Sequence, residues 1–407
     1  MKQTYINPSF LKGWKNAAAS FALLATVTTS AVNTAQAQEG SQGNTTIFGG
    51  AEAGFFGANH SFVTGGAGTQ AGIIGTIRST PMGILSYADG ATTTSGADDA
   101  NHVDGYVRKY SSTAVKFIFP VGDNNTFRPF AASPANLVTG AYFRADPGVA
   151  ITSQLGGGTY GALPGGGTFP VTAKAPGVTT VSNKGYWDID GATASRLSLS
   201  WDNVVVDDIS TLTGGDINKL TIVGWNPTAT RWEKIASTVD PTSLYGTAST
   251  LTRGSITSNA TVIPTSYTVY GLAAASPDLT PNITVLPSVT TGIATILIGI
   301  DVVELNDIPT NGGLITLNIR TDINWTIGIT PGTVIDGWTY VGVVGVNHRF
   351  TSNLVIRKSA ASFEFPASFN PLGASGQFTF NVSILSNSGG ESPNTNNTDQ
   401  ETITFQP

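Results

Sequence analysis

From Thr45 to Tyr110 apolar residues come in short bursts between Gly-rich breaks: TTIFGG, AGFFG, HSFVTGG, GIIGTIR, GILSYADG and HVDGYVRKY. The bursts recur about every 7 to 12 residues, the rhythm of an all-β sheet or a solenoid. No fixed period emerges, so the pattern does not assign a solenoid. The middle of the chain is easier to read. KFIFPVGD (116–123) is an apolar strand that ends in a turn. LSLSW (197–201) alternates, which puts Leu197, Leu199 and Trp201 on one face. KLTIVGW (219–225) and RWEKIAS (231–237) flank NPTAT (226–230), a hairpin loop, and SYTVYGLA (266–273) is a further strand.

AAASPDLTPN (273–282) combines small residues with Pro277 and Pro281 and predicts an exposed linker. Beyond it the pattern restarts in ATILIGIDVVEL (294–305), GLITLNIR (313–320), WTIGI (325–329), WTYVGVVGV (338–346), FTSNLVIR (350–357), GQFTFNVSIL (376–385) and ETITF (401–405). About seven strands in about 130 residues fit an immunoglobulin-like sandwich without its disulfide. The expected fold is all-β, with tandem β-sandwich domains. The expected organisation is a signal peptide (1–37), a Gly-rich short-strand region (38–97), a β-sandwich module (98–275) and an immunoglobulin-like sandwich (276–407).

Composition agrees with this. The 407 residues include 48 glycines, and long Leu/Glu/Lys/Ala stretches are missing, which disfavours helices. Hydrophobic residues make up 40%, too many for a disordered chain. Only 11% of residues are charged, the net charge is −6 and no basic block exists, so nucleic acid is not an expected partner.

The N-terminus reads as a targeting segment. Lys2, Lys12 and Lys15 accompany the apolar run AAASFALLATVTTSAV (17–32), and Ala35-Gln36-Ala37 supplies the small-x-small pattern of signal peptidase. Cleavage after Ala37 leaves Gln38 first and removes three lysines, taking the net charge from −6 to −9. With no cysteine, neither a disulfide framework nor a lipid-bearing cysteine is available. Ile293 to Val303 is the most apolar later run, and it is strand-length, so no transmembrane segment is expected in the mature chain.

Candidate chemistry concentrates in NHVDGYVRKY (101–110). Strand alternation puts His102, Asp104, Tyr106, Arg108 and Tyr110 on one face and Val103, Gly105 and Val107 on the other, with Lys109 at the end. A metal held by His102 and Asp104 needs further ligands. His60 and His348 are distant in sequence, so the strand-face reading is favoured. Asp188-Ile189-Asp190-Gly191 matches the start of a calcium loop, but the twelfth position is Leu199, and a turn ending a strand fits better. Asp123-Asn124-Asn125 and Asp207-Asp208 are calcium candidates built from ordinary turn formers. The Gly-rich run 156–167 lacks the Gly-Lys-Ser/Thr ending of a phosphate loop. Trp187, Trp201, Trp225, Trp232, Trp325 and Trp338 could stack on sugars, but core packing is the favoured reading. No catalytic, cofactor-binding or metal residue is therefore assigned, and no cofactor is expected.

HVDGYVRKY, FIFPVGD, FRPF (127–130), GYWDIDG (185–191), LSLSWD, KLTIVGWNPTATRWEKI and YTVYGLA, in that order, resemble a module of secreted surface proteins of Bacteroidetes-type bacteria, over residues 98–273. The region from PDLTPN through ELNDIPTNGG to SNSGGESPNTNNTDQETITF is similar to the CARDB-like immunoglobulin-fold repeats of bacterial surface proteins. Both resemblances imply spacer, adhesion or display roles, and neither implies catalysis. Many such proteins close on a sorting domain for the type nine secretion system, whereas ETITFQP reads here as the last sandwich strand. The expectation is a secreted, non-enzymatic protein of the cell surface or exterior, with the periplasm as the alternative address. It would serve adhesion or structure with other surface proteins or itself as partner. One alternative is a filament or sheath subunit in which QEGSQGNTTIFGG (38–50) adds to a neighbour's open edge. The other is a carbohydrate-binding or enzyme-accessory module.

Overall fold

A computed structural model describes residues 39–112, 115–149, 167–203, 208–392 and 394–407. The expected signal peptide, nearly all of the Gly-rich run 156–167 and Asp207 lie outside the described residues. Strands dominate, and among the described residues a five-residue segment, Ile209–Thr213, is α-helical.

The N-terminal bursts are rungs of a parallel coil. Its first turn is β1 (Glu39–Gln42), β2 (Thr45–Ile47) and β3 (Glu52–Phe55). The second is β4 (Asn59–Val63), β5 (Ile74–Thr76) and β6 (Ile84–Tyr87). The third is β7 (Thr93–Ser95), β8 (Val103–Asp104) and β9 (Tyr106–Lys109). Strands three apart pair in parallel, β4 with β1 and β7, β5 with β2 and β8, β6 with β3 and β9. This is a three-sided solenoid, which the sequence pattern left unassigned. The reason is its uneven turn length. Glu39 lies beside His60, 21 residues on, but Asn59 lies beside Thr93, 34 residues on. The loops at the corners carry the difference, so no period survives in the sequence.

The expectation of one continuous strand over HVDGYVRKY is corrected. Gly105, at φ +133°, turns a solenoid corner between β8 and β9. A Cβ there would lie 2.0 Å from Thr76 Oγ1, the atom that accepts a hydrogen bond from the Tyr106 N–H at 2.7 Å. The corner breaks the alternation. His102 and Tyr106 are buried, Asp104 and Arg108 half-buried, and Tyr110 exposed.

The third face of the solenoid continues as an antiparallel sheet. β9 pairs with Val138–Phe143, followed by Tyr186–Asp190, Tyr270–Ala275, Leu220–Asn226 and Arg231–Ile235. A second sheet, of Phe117–Phe119, Phe130–Ser133, Arg196–Asp202, Arg253–Ser258 and Ser237–Val239, packs against it. One apolar cluster runs from Ile47 and Phe62 in the solenoid to Trp187, Leu199 and Trp201 in this sandwich. The LSLSW strand is covered on both faces, because Ser200 Oγ donates to the Pro129 carbonyl and Ser198 meets Thr257. The expected hairpin is present, with Trp225 opposite Trp232 and their rings edge to face at 5.7 Å.

Residues 279–406 form a four-stranded and a seven-stranded sheet around a separate cluster that includes Ile298, Leu317, Phe350 and Phe365. Period-two burial is clearest in Ala294–Glu304, where Ile296, Ile298, Ile300, Val302 and Glu304 point inward. This immunoglobulin-like sandwich bears out the tandem β-sandwich expectation. The exposed linker expected at 273–282 is corrected. Ala273, Ala274 and Ala275 end a buried strand, and Pro277 and Pro281 are also buried. Pro281 sits in Leu279–Leu286, an edge strand, where a missing N–H costs no ladder bond. The joint is held from both sides: Ser276 N–H donates to Gly177, Ser392 N–H to Pro277, and Asn259 Nδ2 to Asp307 at 2.8 Å.

Replacing Gly105 with Ala should lower stability by more than about 2 kcal/mol, because positive φ and a backbone-adjacent clash act together. Chemical denaturation checks this. A loss below about 0.5 kcal/mol would show that the corner is not fixed by this residue.

Candidate functional site

Polar chemistry in the described chain gathers where solenoid and sandwich meet. Arg78, fully buried just after β5, donates from Nη2 to Asp104 at 2.7 Å and to the Gly122 carbonyl at 3.0 Å. Its Nη1 donates to the Tyr142 carbonyl at 2.6 Å, and Asp123 lies 3.7 Å away. The guanidinium also stacks over the Phe143 ring at 4.6 Å. Burial alone would favour its neutral form, but Asp123 and Asp104 outweigh that and hold the cation.

Each candidate ligand is engaged by other groups of the protein, although His102 Nε2 is buried without a hydrogen-bond partner among the described residues. Asp104 is bound to Arg78 and to the Asn124 N–H at 3.2 Å. His102 is packed near Phe127, its Nδ1 at 3.0 Å from the Asp98 carbonyl, and burial depresses its pKa. Asp123 caps a turn whose Asn124 and Asn125 have positive φ, and accepts from the Arg144 N–H at 2.9 Å. Asp208 caps the short helix by accepting from the Thr211 N–H. His60 stacks on Phe55 at 3.9 Å and bonds to Tyr87, and His348 bonds to Tyr340. Among the described residues no three His, Asp or Glu side chains come together as a metal site.

Asp188 and Asp190 lie in a strand rather than a calcium loop. Asp188 is buried, accepts from the Tyr106 hydroxyl at 2.6 Å, and is pushed up to about 7 by burial and by neighbouring Asp190. Glu391, hydrogen-bonded by Asn397, is likewise raised to about 7 by burial. Trp187, Trp201, Trp225, Trp232, Trp325 and Trp338 are all buried. None offers a platform to a sugar.

The other notable feature is the solenoid's first turn. β1, β2 and β3 each stand at the end of a sheet, so among the described residues no strand pairs with their outer edges. The Ala51 and Phe55 carbonyls accept from Ile84 and Ala88, on the β6 side. The backbone groups of Glu52 and Gly54 therefore point outward. Phe48, at the turn after β2, is exposed. Glu52 is tied to Arg108 at 3.0 Å and to the Tyr110 hydroxyl at 2.9 Å.

No family profile and no curated protein matches this chain. Among solved structures, the CARDB domain of a Pyrococcus furiosus protein, in complex with di-metal ions, is similar at 16% identity. That match covers 32% of this chain and 89% of the other, with a TM-score of 0.22. The N-terminal domain of a Streptococcus gordonii adhesin is similar at 10% identity, covering 72% of this chain and 79% of the other, also with a TM-score of 0.22. At that level neither likeness carries an argument about what this chain binds or does.

Two predictions follow from the buried charges. Arg78→Met leaves Asp104 and Asp123 without their cation and should cost about 3 to 5 kcal/mol. A cost under about 1 kcal/mol in denaturant unfolding would mean that the network is dispensable. The second concerns pH. A carboxyl raised in the folded state binds a proton that the unfolded chain has lost, so its contribution favours folding at low pH and fades as pH rises through about 7. Thermal midpoints should fall between about pH 5 and 8, and the double variant D188N/E391Q should flatten that slope. An unchanged slope in the variant contradicts the assignment.

Proposed function

We propose that this chain is a secreted, non-enzymatic structural or adhesion protein of a bacterial surface that associates with further copies of itself by strand addition at its open solenoid end. The observation that carries this reading is the first turn, whose three outer strand edges are unpaired among the described residues. An open edge offers a row of backbone donors and acceptors, and these supply affinity without specialised side chains. A parallel coil suits the role, because each added strand extends an existing sheet rather than starting one.

Three features support the absence of catalysis in this reading. The charged side chains near the solenoid junction are held by one another or by backbone. The described histidines are buried in aromatic surroundings. The sugar-binding alternative lacks an exposed tryptophan among the described residues. Export rests on the lysine-flanked apolar run and Ala35-Gln36-Ala37.

The test uses Gly54→Pro. Gly54 directs its N–H outward, so proline there removes an edge donor and spares the β3–β6 ladder. The exported protein should form concentration-dependent assemblies visible by sedimentation and electron microscopy, and the variant should shift their onset to about tenfold higher concentration. A wild-type protein that stays monomeric, or assemblies indifferent to the substitution, overturns the reading.

A further inference from the structure

The end of the C-terminal sandwich farthest from the joint at Ser276 exposes six large aliphatic side chains. Four loops meet there: 286–293, 321–324, 345–346 and 370–375. They are fastened to one another. Ala294 pairs with Phe369, and so does Trp325. Asn370 N–H donates to the Asn324 carbonyl at 2.6 Å, and Thr321 N–H to Val346 at 2.9 Å. Gly292 N–H reaches the carbonyl of Gln406 at 3.0 Å. The loops therefore form one surface.

Every one of these loops holds an aliphatic side chain out to solvent. Ile323 is 82% exposed, Ile293 72%, Val346 66%, Leu286 61%, Val289 60% and Leu372 53%. Between them stand Thr, Ser, Asn, Gly and Pro. Asp322 is the only charged residue in the four loops. The six described tryptophans are buried, whereas six large aliphatics stand in solvent at this one end of the sandwich. Clustered exposed apolar surface marks a contact site.

We infer that this loop tip inserts into the interfacial zone of a lipid bilayer with uncharged headgroups. Three observations favour lipid over a protein partner. Four of the aliphatics, Ile293, Ile323, Val346 and Leu372, sit on turns or bends, and Leu286 and Val289 stand at strand ends beside them. They are spread over four loops, so a protein partner would need a separate pocket for each, whereas a fluid acyl region needs none. The four loops themselves hold no lysine or arginine to pair with an acidic partner, exposed Arg320 standing just before them at the end of Ile315–Arg320, and these nearly uncharged tips match a neutral membrane. The intervening hydroxyl and amide groups hydrogen-bond at headgroup depth while the aliphatics reach below it. Asp322 disfavours an anionic leaflet, so binding is driven by apolar burial and is insensitive to salt. The proposal is independent of the solenoid edge.

The experiment is flotation of the protein, in the form its cells export, with phosphatidylcholine vesicles. Wild-type protein should float with the vesicles equally at low and high salt. The triple variant I293S/I323S/L372S should lose more than about tenfold in partitioning. Its unfolding midpoint should be unchanged, because all three side chains are solvent-exposed. A second variant, Ile323→Trp, should show blue-shifted added emission that acyl-brominated lipids quench. Wild-type protein that stays below the gradient overturns the proposal, as does equal flotation of the triple variant. Self-association that the triple variant abolishes, without vesicle binding, assigns the tip to a second copy of the chain and likewise overturns it.

Discussion

The guanidinium of Arg78 is the point at which four separately built pieces of the chain must agree. It leaves β5, reaches Asp104 in β8, the Gly122 carbonyl and Asp123 beyond it, and the Tyr142 carbonyl in the antiparallel sheet. A buried cation tolerates little displacement, because each lost partner leaves a desolvated charge. The solenoid and the sandwich therefore share a register as well as an apolar core. Replacing the network with apolar residues of equal volume need not weaken the fold, so its contribution lies chiefly in fixing one arrangement.

That arrangement explains the position of Gly105. The chain needs a corner after Asp104 so that β8 stays in one face and β9 enters the next, where it joins Val138–Phe143. Parallel pairing on one side of β9 and antiparallel pairing on the other make it the seam between two architectures. The junction is protected from water by aromatic rings, including Phe143 stacked on Tyr186 at 5.0 Å. Phe119 lies likewise on Phe130 at 4.2 Å. A carboxyl such as Asp188 is kept in this shell by the Tyr106 hydroxyl rather than by a cation.

The two ends of the described structure present different surfaces. Among the described residues the first solenoid turn leaves its outer strand edges unpaired, and backbone hydrogen-bonding capacity is indifferent to sequence. The C-terminal loops offer aliphatic side chains with almost no charge.

By itself the sequence determined the elements that depend on local patterning. The alternation of LSLSW, the strand at ATILIGIDVVEL, the Trp225–Trp232 hairpin and the sandwich class of the C-terminal region were legible because apolar runs and turn chemistry are local, whereas about seven strands were expected there and the two sheets hold eleven, Ala360–Phe369 among those missed. Three things were decided only in three dimensions. The solenoid was hidden because its turns vary in length, and parallel neighbours lie 21 to 34 residues apart with no repeated residue to mark them. The Ala-Pro stretch at 273–282 has a linker's composition, yet small side chains are also what a crowded sheet seam accepts, and an edge strand accommodates Pro281. The charges of HVDGYVRKY were visible, but their roles were not. Arg78, 26 residues away in sequence from Asp104, supplies the partner that makes the stretch structural. Long-range pairing of opposite charges leaves no signature in a single chain, because only folding brings the two carboxylates to one guanidinium.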